Sequence, residues 1–308
     1  MLVRVKTAII YGLIIFLILI PGFTNPEFTV LLLVLIAVFS AKEMSLAFDK
    51  IQINFKPGYL RLTYLSFLPA FIFLFLNRSK LVTAEMLWNN RTNQSLNLTL
   101  NKDLLLGSVF IYSLTLGLVL SYILFKPILT KGSKILKETI FQIAMGTYIA
   151  IPLFAGLLLL YLIPAGWFWF VLAIITPWIA DSCAYFMGRK WGKKPIVPNL
   201  SPNKTYVGFY GSVAGTIVFY LPVFYFAANY LYLIEIKPIH WLAVTLFAGV
   251  LGALIELGDW LASAIKRYCG IKDFSNLLPG HGGVIDRFDS TFFSFTAILT
   301  IALLIHFS

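Results

Sequence analysis

Leu104-Leu-Leu-Gly-Ser-Val-Phe-Ile-Tyr-Ser-Leu-Thr-Leu-Gly-Leu-Val-Leu-Ser-Tyr-Ile-Leu-Phe125 carries no charged side chain from end to end. At a rise of about 1.5 Å per residue, a helix of this length crosses the roughly 30 Å hydrocarbon core of a bilayer. Comparable apolar runs recur near 7–22, 28–47, 59–76, 139–163, 166–188, 205–230, 241–265 and 288–307. The pattern predicts an all-α, polytopic membrane helix bundle of about nine transmembrane helices. Pro69 and Pro152 fall inside two of the runs and are expected to kink those helices rather than end them. Composition points the same way: of 308 residues 59% are hydrophobic and 12% charged, with a mean hydropathy of +0.87. A soluble domain carries about a quarter charged residues, so a water-soluble globule, a disordered chain and a secreted disulfide scaffold are excluded. Cys183 and Cys269 are too few for a disulfide framework or a metal cluster and read as free thiols.

The net charge of +11 would suggest nucleic acid in a soluble protein. Here the cations report topology instead, and no nucleic-acid partner is expected. All but five of the 24 lysines and arginines fall in alternate loops, the five being Arg78, Lys80, Arg91, Lys102 and Lys237. The positive-inside rule places the cation-rich loops and the N-terminus in the cytoplasm. Nine spans then leave the C-terminus outside. The first run follows Arg4 and Lys6 as a signal peptide would, but no small-x-small cleavage site follows Ile20-Pro21-Gly22-Phe23, so a retained helix is expected. One continuous membrane domain is expected: N-terminal helices over 1–165, then a catalytic region over 166–308 with cytoplasmic loops 189–204 and 266–287. Asn90-Arg-Thr92, Asn93-Gln-Ser95 and Asn97-Leu-Thr99 fit the glycosylation acceptor pattern, although an Asn-rich polar loop is the simpler reading.

The acidic residues concentrate late in the chain. Asp181, Glu256 and Asp259 lie inside or at the edge of apolar runs, where each charge costs roughly 2.5–3.5 kcal/mol on insertion scales. Such a penalty requires a compensating cation or a water-filled cavity. Glu256, Asp259, Ser263 and Lys266 follow at steps of three, four and three, which puts them on one helical stripe. Interhelical hydrogen bonding alone could use that stripe. The next segment adds Lys272-Asp273, Pro279-Gly-His281-Gly282-Gly283, and Asp286-Arg287-Phe-Asp289 at the start of the last apolar run. Two carboxylates three apart share a face of that helix, beside a glycine-rich loop able to approach phosphate closely. Hard oxygen ligands with phosphate nearby suit Mg²⁺. A third cluster, Asp181-Ser-Cys-Ala-Tyr185-Phe-Met-Gly188 with Arg189, Lys190, Lys193 and Lys194, precedes Ser201-Pro-Asn-Lys204-Thr205, read as a turn ahead of another helix. All three clusters fall on the cytoplasmic side by the cation count, so they can share one site.

The run Ser263-Ala-Ile-Lys266-Arg267-x4-Lys272-Asp273-x-Ser275-x2-Leu278-Pro279-x-His281-Gly282-Gly283-Val284-x-Asp286-Arg287-Phe288-Asp289 resembles the signature of the phosphatidate cytidylyltransferases, or CDP-diacylglycerol synthases. Asp181 to Gly188 and Ser201 to Thr205 extend the resemblance over roughly 175–295. Val207 departs from it, since the family often carries Glu or Gln before the glycine at that place. The resemblance implies transfer of a cytidylyl group from CTP to phosphatidate in the membrane lipid bilayer, with Mg²⁺, a second cation left open, and a homodimer. The small size of the chain favours a cell inner membrane, and the cation count turns the site of this multi-pass protein toward the cytoplasm. Asp259, Asp286 and Asp289 would hold the metal. Asp181, Ser201, Lys204, Gly282 and Gly283 would bind nucleotide, and Lys266, Arg267, Lys272, Asp273, His281 and Arg287 would serve the reaction. Two other functions stay open: the same chemistry on another lipid phosphate, and, from a different class, a cation-coupled transporter using the intramembrane carboxylates.

Overall fold

The charge-free stretch from Leu104 to Phe125 lies inside the helix Lys102–Lys131 of the computed structural model, which describes residues 2–53, 55–80, 101–232 and 235–307. Asn101 starts that helix, its side chain accepting the N–H of Leu104 at 3.1 Å and so satisfying one of the first turn's unpaired donors. In chain order the helices are α1 (Leu2–Leu19), α2 (Glu27–Asp49), α3 (Pro57–Tyr64), α4 (Leu68–Leu76), α5 (Lys102–Lys131), α6 (Leu136–Leu162) and α7 (Gly166–Trp191). After a short hairpin, β1 (Pro195–Val197) and β2 (Ser201–Thr205), come α8 (Tyr206–Phe226), α9 (Pro238–Tyr268) and α10 (Ile285–Phe307). The Asn-rich acceptor patterns at Asn90, Asn93 and Asn97 lie outside the described residues.

Eight helical stretches among the described residues are long and apolar enough to cross a membrane, and Ile10–Phe23 is a shorter apolar helix ahead of them. The chain is an all-α polytopic membrane protein. The first of the nine expected spans is α1, of 18 residues. The third expected run is not one uninterrupted helix: it breaks over Leu65–Phe67, and Pro69 sits in the first turn of α4, where its missing N–H leaves no bond unmade. Pro152, by contrast, is carried within α6 without a break.

Burial separates the inner helices from the outer ones. In α6, 67% of the most apolar window is buried, against 22% in α5. Leu106, Phe110, Leu118 and Leu129 of α5 are exposed accordingly, as a lipid-facing surface requires. Around α6 pack α2, α3, α5, α7 and α10, while α7, α8, α9 and α10 follow one another as neighbours. The apolar core is continuous from Ile15 to Ala302 and joins the regions 1–165 and 166–308.

The hairpin corrects one expectation. Ser201-Pro-Asn-Lys-Thr205 is a strand paired antiparallel with Pro195–Val197, and the turn lies upstream, where Leu200 N–H donates to the Val197 carbonyl at 3.1 Å. Thr205 ends the strand and caps α8, its hydroxyl accepting the Gly208 N–H at 3.1 Å. Gly208 lets α8 press against α7: a Cβ there would come within 3.0 Å of the Ala184 carbonyl oxygen. That contact fixes where the strand enters the bundle.

Candidate active site

Between α7, the hairpin, α8 and α9 lies a cleft of about 450 Å³ whose lining includes Asp181, Arg189, Asn203, Lys204, Glu256 and Asp259. Lys204 reaches in from β2. Its ammonium lies 3.1 Å from Glu256 Oε2 and forms a closer ion pair with Asp259 Oδ2. Glu256 is buried and Asp259 half-buried, so Lys204 is the compensating cation that intramembrane carboxylates require. Burial alone would lower the Lys204 pKa, but Asp259 and Glu256 outweigh it and hold it above the ordinary lysine value. Ser263 donates to Asp259 Oδ1 at 3.4 Å. The stripe Glu256, Asp259, Ser263 and Lys266 thus faces polar partners along its length, as its spacing predicted.

Lys266 turns to the next segment, donating to Asp286 Oδ1 at 2.8 Å. The other oxygen of Asp286 accepts the N–H of Phe274 at 2.8 Å and of Gly283 at 2.9 Å. Both carboxylate oxygens are engaged, and Asp286 holds the loop 274–283 onto the start of α10. The expected trio Asp259, Asp286 and Asp289 is accordingly not gathered into one cage. No group of three or more His, Cys, Asp or Glu is arranged to hold a metal among the described residues. Asp289, buried one turn further on, accepts the N–H of Ser290 at 2.7 Å through Oδ1. It lies near enough to Asp259 for their charges to interact, and Asp181 senses Asp259, Asp289 and Glu256 in the same way. Gly258 makes this approach possible, since a Cβ there would meet the Asp289 carbonyl oxygen at 3.2 Å.

The glycine loop packs closely against two carboxylates. Gly282 has φ +79°, and a Cβ on it would sit 2.7 Å from Asp286 Oδ2. A Cβ on Gly283 would sit 2.5 Å from either oxygen of Glu43. These glycines admit the protein's own carboxylates, and the Gly283 N–H is already spent on Asp286. Glu43, from α2, is the site residue that the motifs did not reveal. It is buried, and it accepts the Ser275 hydroxyl at 2.6 Å, the Val284 N–H at 2.8 Å and the Ile285 N–H at 2.9 Å. The signal was nevertheless in the sequence: a glutamate inside an apolar run carries the same insertion penalty that singled out Asp259.

The remaining expected residues divide by exposure. Arg267 donates to the carbonyl of Leu200 and, through Nη1, to that of Ile271, each at 3.2 Å, and so straps the hairpin to the end of α9. Ser201 pairs with Val197 in the hairpin. Lys272 and Asp273 are exposed in the loop after α9. His281 Nδ1 and Arg287 Nε are buried without a hydrogen-bond partner among the described residues, and buried polar atoms of this kind await one. For a metal, the fit is to a shared ion. Glu256 and Asp259 converge on a single positive charge, the Lys204 ammonium, and Mg²⁺ takes one or two such carboxylates with the rest of its shell from phosphate and water.

Comparison with known proteins completes the picture. Residues 2–305 match the model of the cytidylyltransferase family. The phosphatidate cytidylyltransferase of Bacillus subtilis (strain 168) is 43% identical over 121 residues, 39% of this chain and 42% of that protein. That of Staphylococcus aureus (strain COL) is 37% identical over 130 residues, 42% and 46% of the two chains. The Haemophilus influenzae protein of the same name is 36% identical over 194 residues, 61% and 64%. The matched segment thus spans less than half of the first two relatives. With the family model running almost end to end along the helix bundle, the chain belongs to the cytidylyltransferase family.

Proposed function

We propose that the chain transfers a cytidylyl group from CTP to phosphatidate. An oxygen of the phosphatidate phosphate attacks the α-phosphorus of CTP, the bond from that phosphorus to the bridging oxygen breaks, and pyrophosphate leaves with the electron pair. The product is CDP-diacylglycerol. A phosphate monoester is largely ionised at neutral pH, so the attacking oxygen needs no general base. Positioning and charge neutralisation carry such a displacement.

The observation that carries this reading is the meeting of Lys204, Glu256 and Asp259 in a cleft at the edge of the membrane-spanning helices. Lys204 neutralises phosphate charge and orients the carboxylates. Arg189 and Asn203 border the same cleft and offer donors to the nucleotide. Arg287 and His281 hold unpaired buried nitrogens suited to a phosphate oxygen arriving from the α10 side. Asp259, with Asp289 and Asp181 in electrostatic reach, would hold Mg²⁺ together with substrate oxygens. Bound there, the ion would offset the charge that builds on the leaving pyrophosphate. The cation-rich loops support a cytoplasmic opening of the cleft and a multi-pass place in the cell membrane.

The test is turnover of the purified chain with labelled CTP and phosphatidate. Lys204→Met is expected to lower lipid-linked label by roughly 100-fold or more. Unchanged turnover, or no CTP-dependent lipid product from the unaltered chain, would remove the assignment. Product analysis with mixed lipid phosphates separates phosphatidate from another acceptor.

A further inference from the structure

A second cavity, of about 430 Å³, opens between α3, α5 and α6 and shares no lining residue with the cleft. Lys56, Lys126, Lys131 and Lys134 line it, brought from the start of α3, the end of α5 and the turn that follows. Glu138 is the one carboxylate in the lining. None of the four lysines forms an ion pair among the described residues. The inner lining is polar and fixed: Thr139 and Gln142 are buried, and Gln142 Nε2 donates to the Lys56 carbonyl oxygen at 3.0 Å. That bond ties α6 to the start of α3 and so holds the Lys56 backbone beside the cavity.

Lysines near a membrane surface satisfy the positive-inside rule wherever they stand. Nothing in that rule brings Lys56 onto one cavity with the lysines of the 126–134 segment, where like charges raise each other's energy unless an anion lies between them. The surroundings identify the anion. Phe125 and Leu129, on the turns of α5 that carry Lys126 and Lys131, are 57% and 82% exposed. An apolar, lipid-facing surface therefore runs up to the basic rim. Basic pockets between transmembrane helices on the cation-rich side suit lipid head groups.

We propose that this cavity binds the phosphate-bearing head group of an anionic membrane lipid, at a site separate from the catalytic cleft. The ammonium groups meet the phosphate, and the acyl chains lie along Phe125 and Leu129. A soluble phosphate ester offers the same charge without the chains, and the experiment distinguishes the two sources.

The full chain is placed in phosphatidylcholine nanodiscs with and without phosphatidylglycerol, released, and its retained lipid weighed by native mass spectrometry. The unaltered chain is expected to retain phosphatidylglycerol selectively. Lys126→Gln/Lys134→Gln, losing two charges worth about a factor of five each, is expected to retain it roughly 30-fold more weakly, whereas Lys126→Arg/Lys134→Arg keeps it. Equal retention by the unaltered chain and the Gln pair overturns the proposal. In a second arm glycerol 3-phosphate is titrated against the lipid-free protein. Binding far weaker than that of the lipid supports the proposal, and binding of equal strength assigns the cavity to a soluble ester and overturns it. If the Gln pair fails to fold, Lys131→Gln alone carries the test, with retention expected to fall about fivefold and no change counting against the proposal.

Discussion

Glu43 and Ile285 stand 242 positions apart, and the carboxylate of the first accepts the backbone N–H of the second at 2.9 Å. Helix α10 therefore begins with its free donors occupied by an anion from α2, a favourable placement at a helix N-terminus. Glu43→Ala would strand the N–H groups of Val284 and Ile285 in a buried setting, at about 1–3 kcal/mol each. Thermal unfolding in detergent is expected to shift down accordingly, and Glu43→Gln, which keeps one acceptor oxygen, is expected to shift less. An unfolding temperature in Glu43→Ala equal to that of the unaltered chain would show that the clamp contributes nothing.

Gly283 tests the same clamp from the other side. A Cβ there would lie 2.5 Å from both Glu43 oxygens, a distance at which atoms must move, so Gly283→Ala should cost about 1–3 kcal/mol through displacement of the loop. Removing Glu43 removes the obstacle. The double variant Glu43→Ala/Gly283→Ala should therefore be more stable than the sum of the single effects predicts, with a coupling of roughly 1 kcal/mol or more. Strict additivity would mean that the two positions do not meet.

How far these relations could be read in advance depended on whether they are local. Hydropathy marks the spans because each helix satisfies its own backbone bonds. Insertion cost marks Glu256 and Asp259 because a buried charge needs a partner wherever that partner sits. The partner itself, Lys204, stands on a strand whose pairing with Pro195–Val197 leaves no periodic trace over so short a length. The contacts of Asp286 were hidden for a different reason. Carboxylates three apart share a face inside a helix, but at the first turn Asp286 curls back to the N–H of Gly283, as residues near a helix start do when they satisfy its donors. Glu43 eluded the motif because its partners lie in the other half of the chain.

On the proposed reading, metal dependence should separate Asp286 from Asp259. Both oxygens of Asp286 are engaged, by Lys266, Phe274 and Gly283, so Asp286→Asn should lower stability by about 3 kcal/mol, the cost of breaking a buried pair. The Mg²⁺ concentration giving half-maximal turnover should stay the same in whatever protein remains folded. Asp259→Asn is expected to raise that concentration by roughly tenfold or more. The reverse pattern, with Asp286→Asn shifting the Mg²⁺ requirement and Asp259→Asn leaving it alone, would return Asp286 to the metal.

Lys204 makes a prediction in pH. Asp259 and Glu256 overcome the effect of burial and hold its pKa above the ordinary lysine value. The folded value thus exceeds the unfolded one, so its ion pairs contribute fully below the unfolded pKa and lose that contribution as pH rises through the folded value. Lys204→Met, which leaves Glu256 and Asp259 without their cation, should be less stable by about 3 kcal/mol. The gap between the two proteins should hold steady from about pH 7 to about pH 9 and narrow only above the ordinary lysine range. Thermal unfolding of both proteins across that range measures it. A gap that had already closed by about pH 8 would mean that Lys204 loses its proton early and supplies no fixed positive charge to Glu256 and Asp259.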